Sequence, residues 1–194
     1  MPPKVKIIKQ DIVAAALALV RERGVGALNA REFAARLSCS TQPIFCNFAS
    51  MDELREATMM AAWEAYFKKL KGDLDSQRYP AYKASGMSYI DFAIQEPHLF
   101  EWLFMRDRTD EPQKVFEGFE EIISMVMQKN GLSRERAEQF HFSMWIYVHG
   151  IATSVASGYI KYDEEIISAC ITDVYFGLSA RYREKEGIKN EQQY

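Results

Sequence analysis

Catalytic chemistry in this chain is limited first by scarcity, because it holds three histidines, His98, His141 and His149, and three cysteines, Cys39, Cys46 and Cys170. Glu138-Gln-Phe-His141 is an E-x-x-H, the spacing that sets two metal ligands on one helix face in helical-bundle metal oxidases. That chemistry needs a second E-x-x-H and two further glutamates, and neither His98 nor His149 follows a Glu by three positions. A metal-dependent oxidase is therefore an alternative that bound iron would support. No Ser-His-Asp arrangement with a nucleophile elbow and no Gly-rich phosphate loop is present. The spacing of Cys39 and Cys46 matches neither a zinc site nor a C-x-x-C redox pair, although oxidation there would disturb the segment that holds them. The expected catalytic residues, metal ligands and cofactors are none.

Charge and helix spacing point elsewhere. Residues 1–50 hold seven Lys and Arg against three acidic residues, in a chain whose net charge is −3, so everything after residue 50 is acidic on balance. A phosphate-facing head on an acidic body is the simplest physical reading of that split. Residues 29–48 supply a short helix, the three-residue turn Ser38-Cys39-Ser40 and a second short helix. Two helices braced at a steep angle let the second lie in a major groove about 12 Å wide, which is the mechanical content of a helix-turn-helix. A helical adaptor that uses the basic head to bind protein is a further alternative.

The elements that must position these residues all read as helices. Apolar residues make up 48% and charged residues 26% of the 194, enough for a real core and too much for global disorder. The apolar stretches are too short to span a membrane, no signal sequence opens the chain, and an odd cysteine count suits a reducing compartment, so a soluble cytoplasmic protein is expected. Periodicity predicts an all-α fold of about nine helices. The first covers 8–23, with Ile12, Ala16, Leu19 and Val20 on one face and Gly24 as the stop. The second covers 30–37, capped by Asn29 with Glu32 three residues on, and the third runs from a Ser40 cap to residue 48. Ser50-Met-Asp-Glu53 is a capping box that starts a long helix to residue 71. Later helices are expected over 81–95, 97–105, 112–130, 133–159 and 163–184, with Pro97 at a helix start, Gly131 at a stop, and Ser133 and Asp163 as caps of the last two.

Two features mark the body after residue 50. Aromatic and methionine side chains are dense there, as in pockets for drug-like ligands, and Gly86 and Gly118 inside helical stretches suggest a need for space. The candidate lining is Tyr66, Phe92, Trp102, Phe116, Trp145 and His149, for an apolar or aromatic effector. The last two helices look made for association. One is rich in small residues from Gly150 to Gly158, and the other carries Ile166, Ile167, Cys170, Ile171, Val174 and Leu178. A symmetric four-helix interface would use Ala152, Val155, Ile167, Ile171, Val174 and Leu178.

The pattern Ile12…Ala15-Ala16…Leu19-Val20…Gly24…Leu28…Arg31-Glu-Phe-Ala34…Leu37…Ser40…Ile44-Phe45…Phe48…Leu54 resembles the DNA-binding segment of the TetR family of regulators. Trp145-Ile-Tyr-Val-His149-Gly150 is similar to the W-x-x-x-H-G signature of one branch of that family. The resemblance implies residues 1–50 as the DNA-binding domain and 51–194 as the ligand-binding and dimerisation domain. It further implies a homodimer on a palindromic double-stranded operator, usually a repressor, released by a small-molecule effector. By position, Asn29 and Arg31 open the second helix, and Ser40, Thr41, Gln42, Phe45, Cys46 and Asn47 belong to the recognition segment. Gln42 and Asn47 have the amide chemistry for bidentate reading of adenine, whereas Lys4, Lys6 and Lys9 would position through phosphates. The family usually has Tyr at the position of Phe45 and Lys at that of Met51, so two phosphate contacts per subunit are missing here.

Overall fold

The computed structural model describes residues 8–36, 40–109 and 120–188, and among them every regular element is a helix. These are α1 (Lys9–Arg23), α2 (Ala30–Arg36), α3 (Gln42–Asn47), α4 (Met51–Asp75), α5 (Ala81–Gln95), α6 (Pro97–Phe100), α7 (Glu120–Asn130), α8 (Arg134–Ala156) and α9 (Glu164–Lys185). A 3-10 turn, Val25–Ala27, follows α1, and a π-type turn, Glu101–Met105, continues α6. The helices fall into two compact units: residues up to Lys69 with Gln95–Asp107, and Leu70–Ile94 with the residues from Arg108 onward.

In the first unit α1 buries Ile12, Ala16, Leu19 and Val20, the i, i+4, i+7, i+8 stripe of an amphipathic helix. Leu28, Phe33, Ile44, Phe48 and Leu54 complete that core. Gly24 ends α1 at φ 76 and ψ 168, a region open essentially to glycine alone. The segment after α5 packs onto α1: Arg21 pairs with Glu96 at 3.0 Å, and His98 Nδ1 lies 3.5 Å from where a Gly24 Cβ would sit. Pro97 occupies the first turn of α6, where its missing N–H costs nothing. Phe104 in the π-type turn meets Trp63 and Tyr66 edge-on, each at 5.2 Å between centroids.

In the second unit α5 is buried on several sides, through Ala84, Met87, Ser88, Tyr89, Ile90, Phe92 and Ala93. α7 contributes Ile122, Ile123 and Val126, and α8 contributes Ala137, Phe140, Met144, Val148 and Ala152. α9 closes this core with Ile167, Ile171 and Tyr182. Tyr162 donates to Asp91 at 2.9 Å, and Arg78 pairs with Glu164 at 2.6 Å, tying the start of α9 to the ends of its neighbours.

Several boundaries differ from the sequence expectation for identifiable reasons. α4 runs through Gly72 to Asp75 and stops at Gln77, whose φ of 54 breaks the helix. α8 ends at Ala156, because Gly158 takes φ 73 and Ile160 N–H closes on Ser154 O, so Gly158 is a stop and not a packing residue. Ser133 does not cap α8 with its side chain; its N–H and hydroxyl both go to the Glu186 carboxylate. Nor is Gly86 forced by crowding, since an added Cβ would sit 3.5 Å from Val148, an ordinary contact. Leu37, Gly118 and the start of the helix expected at 112 lie outside the described residues.

Candidate nucleic-acid interface

Asn29 anchors the helix pair. Its Oδ1 accepts from Glu32 N–H at 3.0 Å, one half of a capping box, but its side-chain Nδ2 and not its backbone N–H donates to Glu32 Oε1, at 3.2 Å; the backbone N–H goes to Ala27 O. α2 buries Phe33 and Ala34 and leaves Arg31 exposed. α3 buries Ile44 and is followed by buried Phe48, so it is rooted by one side only. Its other side faces solvent: Ser40, Thr41, Gln42 and Cys46 are exposed, and Phe45 is 50% exposed. The cap position is Thr41, not Ser40, and it makes no side-chain cap bond. Ala49 N–H and Glu53 N–H are satisfied by Glu53 Oε2 and Ser50 Oγ, so the box at the start of α4 closes one residue earlier than the motif implies.

The two amides differ. Gln42 has no hydrogen-bond partner among the described residues, leaving donor and acceptor available. Asn47 is half-buried and donates from Nδ2 to Pro43 O at 2.8 Å, which fixes its orientation at the end of α3.

Most basic side chains of this unit already have partners, which net charge could not reveal. Lys9 Nζ is 2.9 Å from Glu53 Oε1 and 4.6 Å from the centroid of Phe48. The hydrogen bond from Lys9, helped by the Ala49 N–H, holds the Glu53 carboxyl below its usual range. Arg36 makes a two-pronged pair with Glu22 at 2.6 and 2.7 Å, which lowers Glu22, and Arg23 meets Glu32 at 2.8 Å. Arg31 is the exposed guanidinium left without such a pair among the described residues. Lys4, Lys6 and Cys39 lie outside them.

The candidate effector residues divide. Tyr66 and Trp102 are buried in the first unit, where burial pushes the Tyr66 hydroxyl up. In the second unit Phe92 is core, and Trp145 stacks on His149 at 5.0 Å. His149 Nδ1 is 2.9 Å from the Tyr89 hydroxyl, and burial lowers its imidazole. Phe116 lies outside the described residues. A groove of about 760 Å³ opens in this unit between the start of α5, the end of α7 and one flank of α9, and none of the described candidate residues lines it. The Glu138 and His141 side chains have separate partners: Glu138 pairs with Arg134 at 2.9 Å, and buried His141 meets the Tyr82 hydroxyl at 3.0 Å.

Residues 82–172 match the family model of the tetracyclin repressor-like, C-terminal domain. That region belongs to the C-terminal domain of the TetR family. The match supports a transcriptional regulator, and the chain has the family's all-helical fold. Solved structures share that fold at low identity. A candidate transcriptional regulator of Pseudomonas aeruginosa PAO1 aligns over 91% of this chain and 94% of its own, with a TM-score of 0.66 and 15% identity. A member of the TetR family from Streptomyces coelicolor A3 aligns over 86% of this chain and 96% of its own, with a TM-score of 0.56 and 18% identity. No curated protein matches the sequence.

The matched region contains the Trp145-to-Gly150 signature and most of the residues expected to associate. Ala152, Ile167 and Ile171 are buried within the protomer, whereas Val155, Val174 and Leu178 are half-buried. The exposed large apolar residues of the same two helices are others, Phe142 at 41%, Ile146 at 51%, Ile166 at 61% and Phe176 at 64%. Apart from its chain neighbours and the adjacent backbone of its own helix, no atom of the described residues lies within 4 Å of where a Cβ on Gly150 or Gly177 would sit. Sequence reasoning missed Ile146 because it lies beside the aromatic signature and reads as core; the width of the exposed face, not its hydropathy, separates the two. No helix among the described residues is long and apolar enough to cross a membrane.

Proposed function

We propose that this chain is a cytoplasmic, non-enzymatic homodimeric repressor of the TetR family. Residues 1–50 of each subunit grip one half of a palindromic operator, residues 51–194 dimerise and bind a small effector, and binding of that effector releases the duplex. The observation that supports this best is the asymmetry of α3: Ile44 and Phe48 root it, while Thr41, Gln42, Phe45 and Cys46 stand in solvent, as does Arg31 on α2. A short helix held from one side only is what insertion into a major groove requires. Gln42, with both amide groups unengaged, is the reader of an adenine edge, and Asn47 holds the end of α3. The metal-oxidase alternative has no support from Glu138 and His141, which are satisfied by Arg134 and Tyr82.

Selection of bound duplexes from a random pool tests the reading. Wild type enriches a palindrome. Gln42→Ala relaxes the motif at one position per half-site, at a cost of about 1–3 kcal/mol against the preferred base. Arg31→Ala weakens all duplexes alike and reduces the slope of log affinity against log salt by about 1. An unchanged motif in Gln42→Ala, or duplex binding insensitive to salt, rejects the proposal and favours the protein-binding adaptor.

A further inference from the structure

The groove on the second unit has a composition that its volume alone does not explain. Its walls are the rings and chains of Tyr82, Met125, Ile171, Tyr175 and Phe176. The two tyrosine hydroxyls are engaged, Tyr82 with His141 Nδ1 at 3.0 Å and Tyr175 with Asn130 Nδ2 at 3.2 Å. The polar ends of these side chains are thus spent on protein partners. Two cations join the walls, Lys83 and Lys129, and no acidic residue lines the groove among the described residues. Among these residues the partners of Lys83 Nζ are neutral, the Thr172 hydroxyl at 2.8 Å and the Tyr79 ring at 5.2 Å from its centroid. Lys129 makes no ion pair among the described residues. An ammonium has three donors, so both lysines retain hydrogen-bonding capacity for an anion.

We propose that this groove binds an amphipathic organic anion, an apolar chain or ring system ending in a single carboxylate that Lys83 and Lys129 receive. About 760 Å³ lies within the range of sites for drug-sized molecules. Phe176, on the wall of the groove, is 64% exposed, an aromatic surface that an apolar body covers. The two lysines make a second, like-charged copy of this surface the weaker occupant. At about 100° per residue, Thr172 and Tyr175 lie well round α9 from exposed Ile166 and open Gly177, with Phe176 at the edge between them. The inference rests on reading residues 51–194 as the effector-binding part, and it narrows the apolar or aromatic effector to one that carries a carboxylate.

Calorimetric titration of the full-length, DNA-free protein with decanoate, 4-phenylbutyrate and decan-1-ol tests the groove directly. Saturable binding of a carboxylate is expected, with the alcohol weaker by about tenfold or more, the loss of one charge-assisted contact. The two carboxylates distinguish a fatty chain from an aromatic acid as the fitting body. Lys129→Met, an exposed change, and the Lys83→Met/Lys129→Met pair should each erase the preference for carboxylate over alcohol, and Phe176→Ala should weaken all ligands. Melting curves by circular dichroism confirm that each variant is folded. Equal binding of alcohol and acid, an unchanged preference in both lysine variants, no saturable binding, or a monomeric mass for Phe176→Ala in light scattering overturns the proposal. Anisotropy on the selected duplex separates the two claims. Carboxylate binding that leaves duplex affinity unchanged keeps the site and removes the effector role, while intact duplex binding with an inert groove removes the site alone.

Discussion

His141 shows how much a single residue's environment can matter to this fold. Burial beside Tyr82 depresses its imidazole to about 4 from an ordinary 6.5, and burial likewise keeps the Tyr82 hydroxyl protonated. A neutral ring accepts a hydrogen bond at Nδ1 from the tyrosine hydroxyl, which satisfies both groups. Between those two values the unfolded chain binds more protons than the folded one. Stability is therefore complete above about pH 6.5 and is lost as pH falls toward 4, by up to about 3 kcal/mol. His141→Gln should flatten this acid limb while costing stability at neutral pH. Urea midpoints at pH 7.5 and 4.5 are the measurement, and an equal drop in variant and wild type would refute the assignment. His149, half-buried against Tyr89, shifts the same way from a weaker cause and gives a smaller acid limb.

Among the elements, the end of α1 is the sharpest test of local conformation. At φ 76 and ψ 168 Gly24 occupies a region where a side chain costs about 1–3 kcal/mol, although a Cβ would meet His98 only at an ordinary distance. Gly24→Ala should lower the urea midpoint accordingly, and a variant as stable as wild type would show that the turn can rearrange. This position was legible in the sequence as a helix stop, as were the Asn29 box, the Pro97 start and the Gly131 stop at φ 67, because each is local: one residue's allowed angles or one side chain's reach. The two short helices α2 and α3 were legible for the same reason, since Phe33, Ile44 and Phe48 recur at the spacing of buried faces. What escaped is set by distant partners. Ser133 looked like a cap until Glu186, far along the chain, took both of its donors. Tyr66 and Trp102 have the composition of a pocket wall but belong to the first unit's core, and the groove draws on α5, α7 and α9, which no local pattern joins. The π-type turn at Glu101–Met105 has no sequence mark beyond its aromatic content.

At the scale of the whole molecule, affinity for duplex should depend on pairing two weak heads. Lys9, Arg23 and Arg36 are held by Glu53, Glu32 and Glu22, so a single head offers phosphates less charge than its basic count suggests. Two such heads joined by a dimer gain from effective concentration, by a factor on the order of 10² to 10⁴. The face available for joining is the outer side of α8 and α9, where Ile146 and Ile166 are exposed beside glycines with open space. A charge there should break the dimer without touching the protomer core. Ile146→Asp is expected to give a monomeric mass in light scattering, an unchanged melting curve, and a loss of duplex affinity by that factor. Ile171 is the contrasting position: at 2% exposure it is core, so Ile171→Asp should unfold the second unit and says nothing about association. If Ile146→Asp remains a dimer and binds duplex as wild type does, this face does not join the subunits.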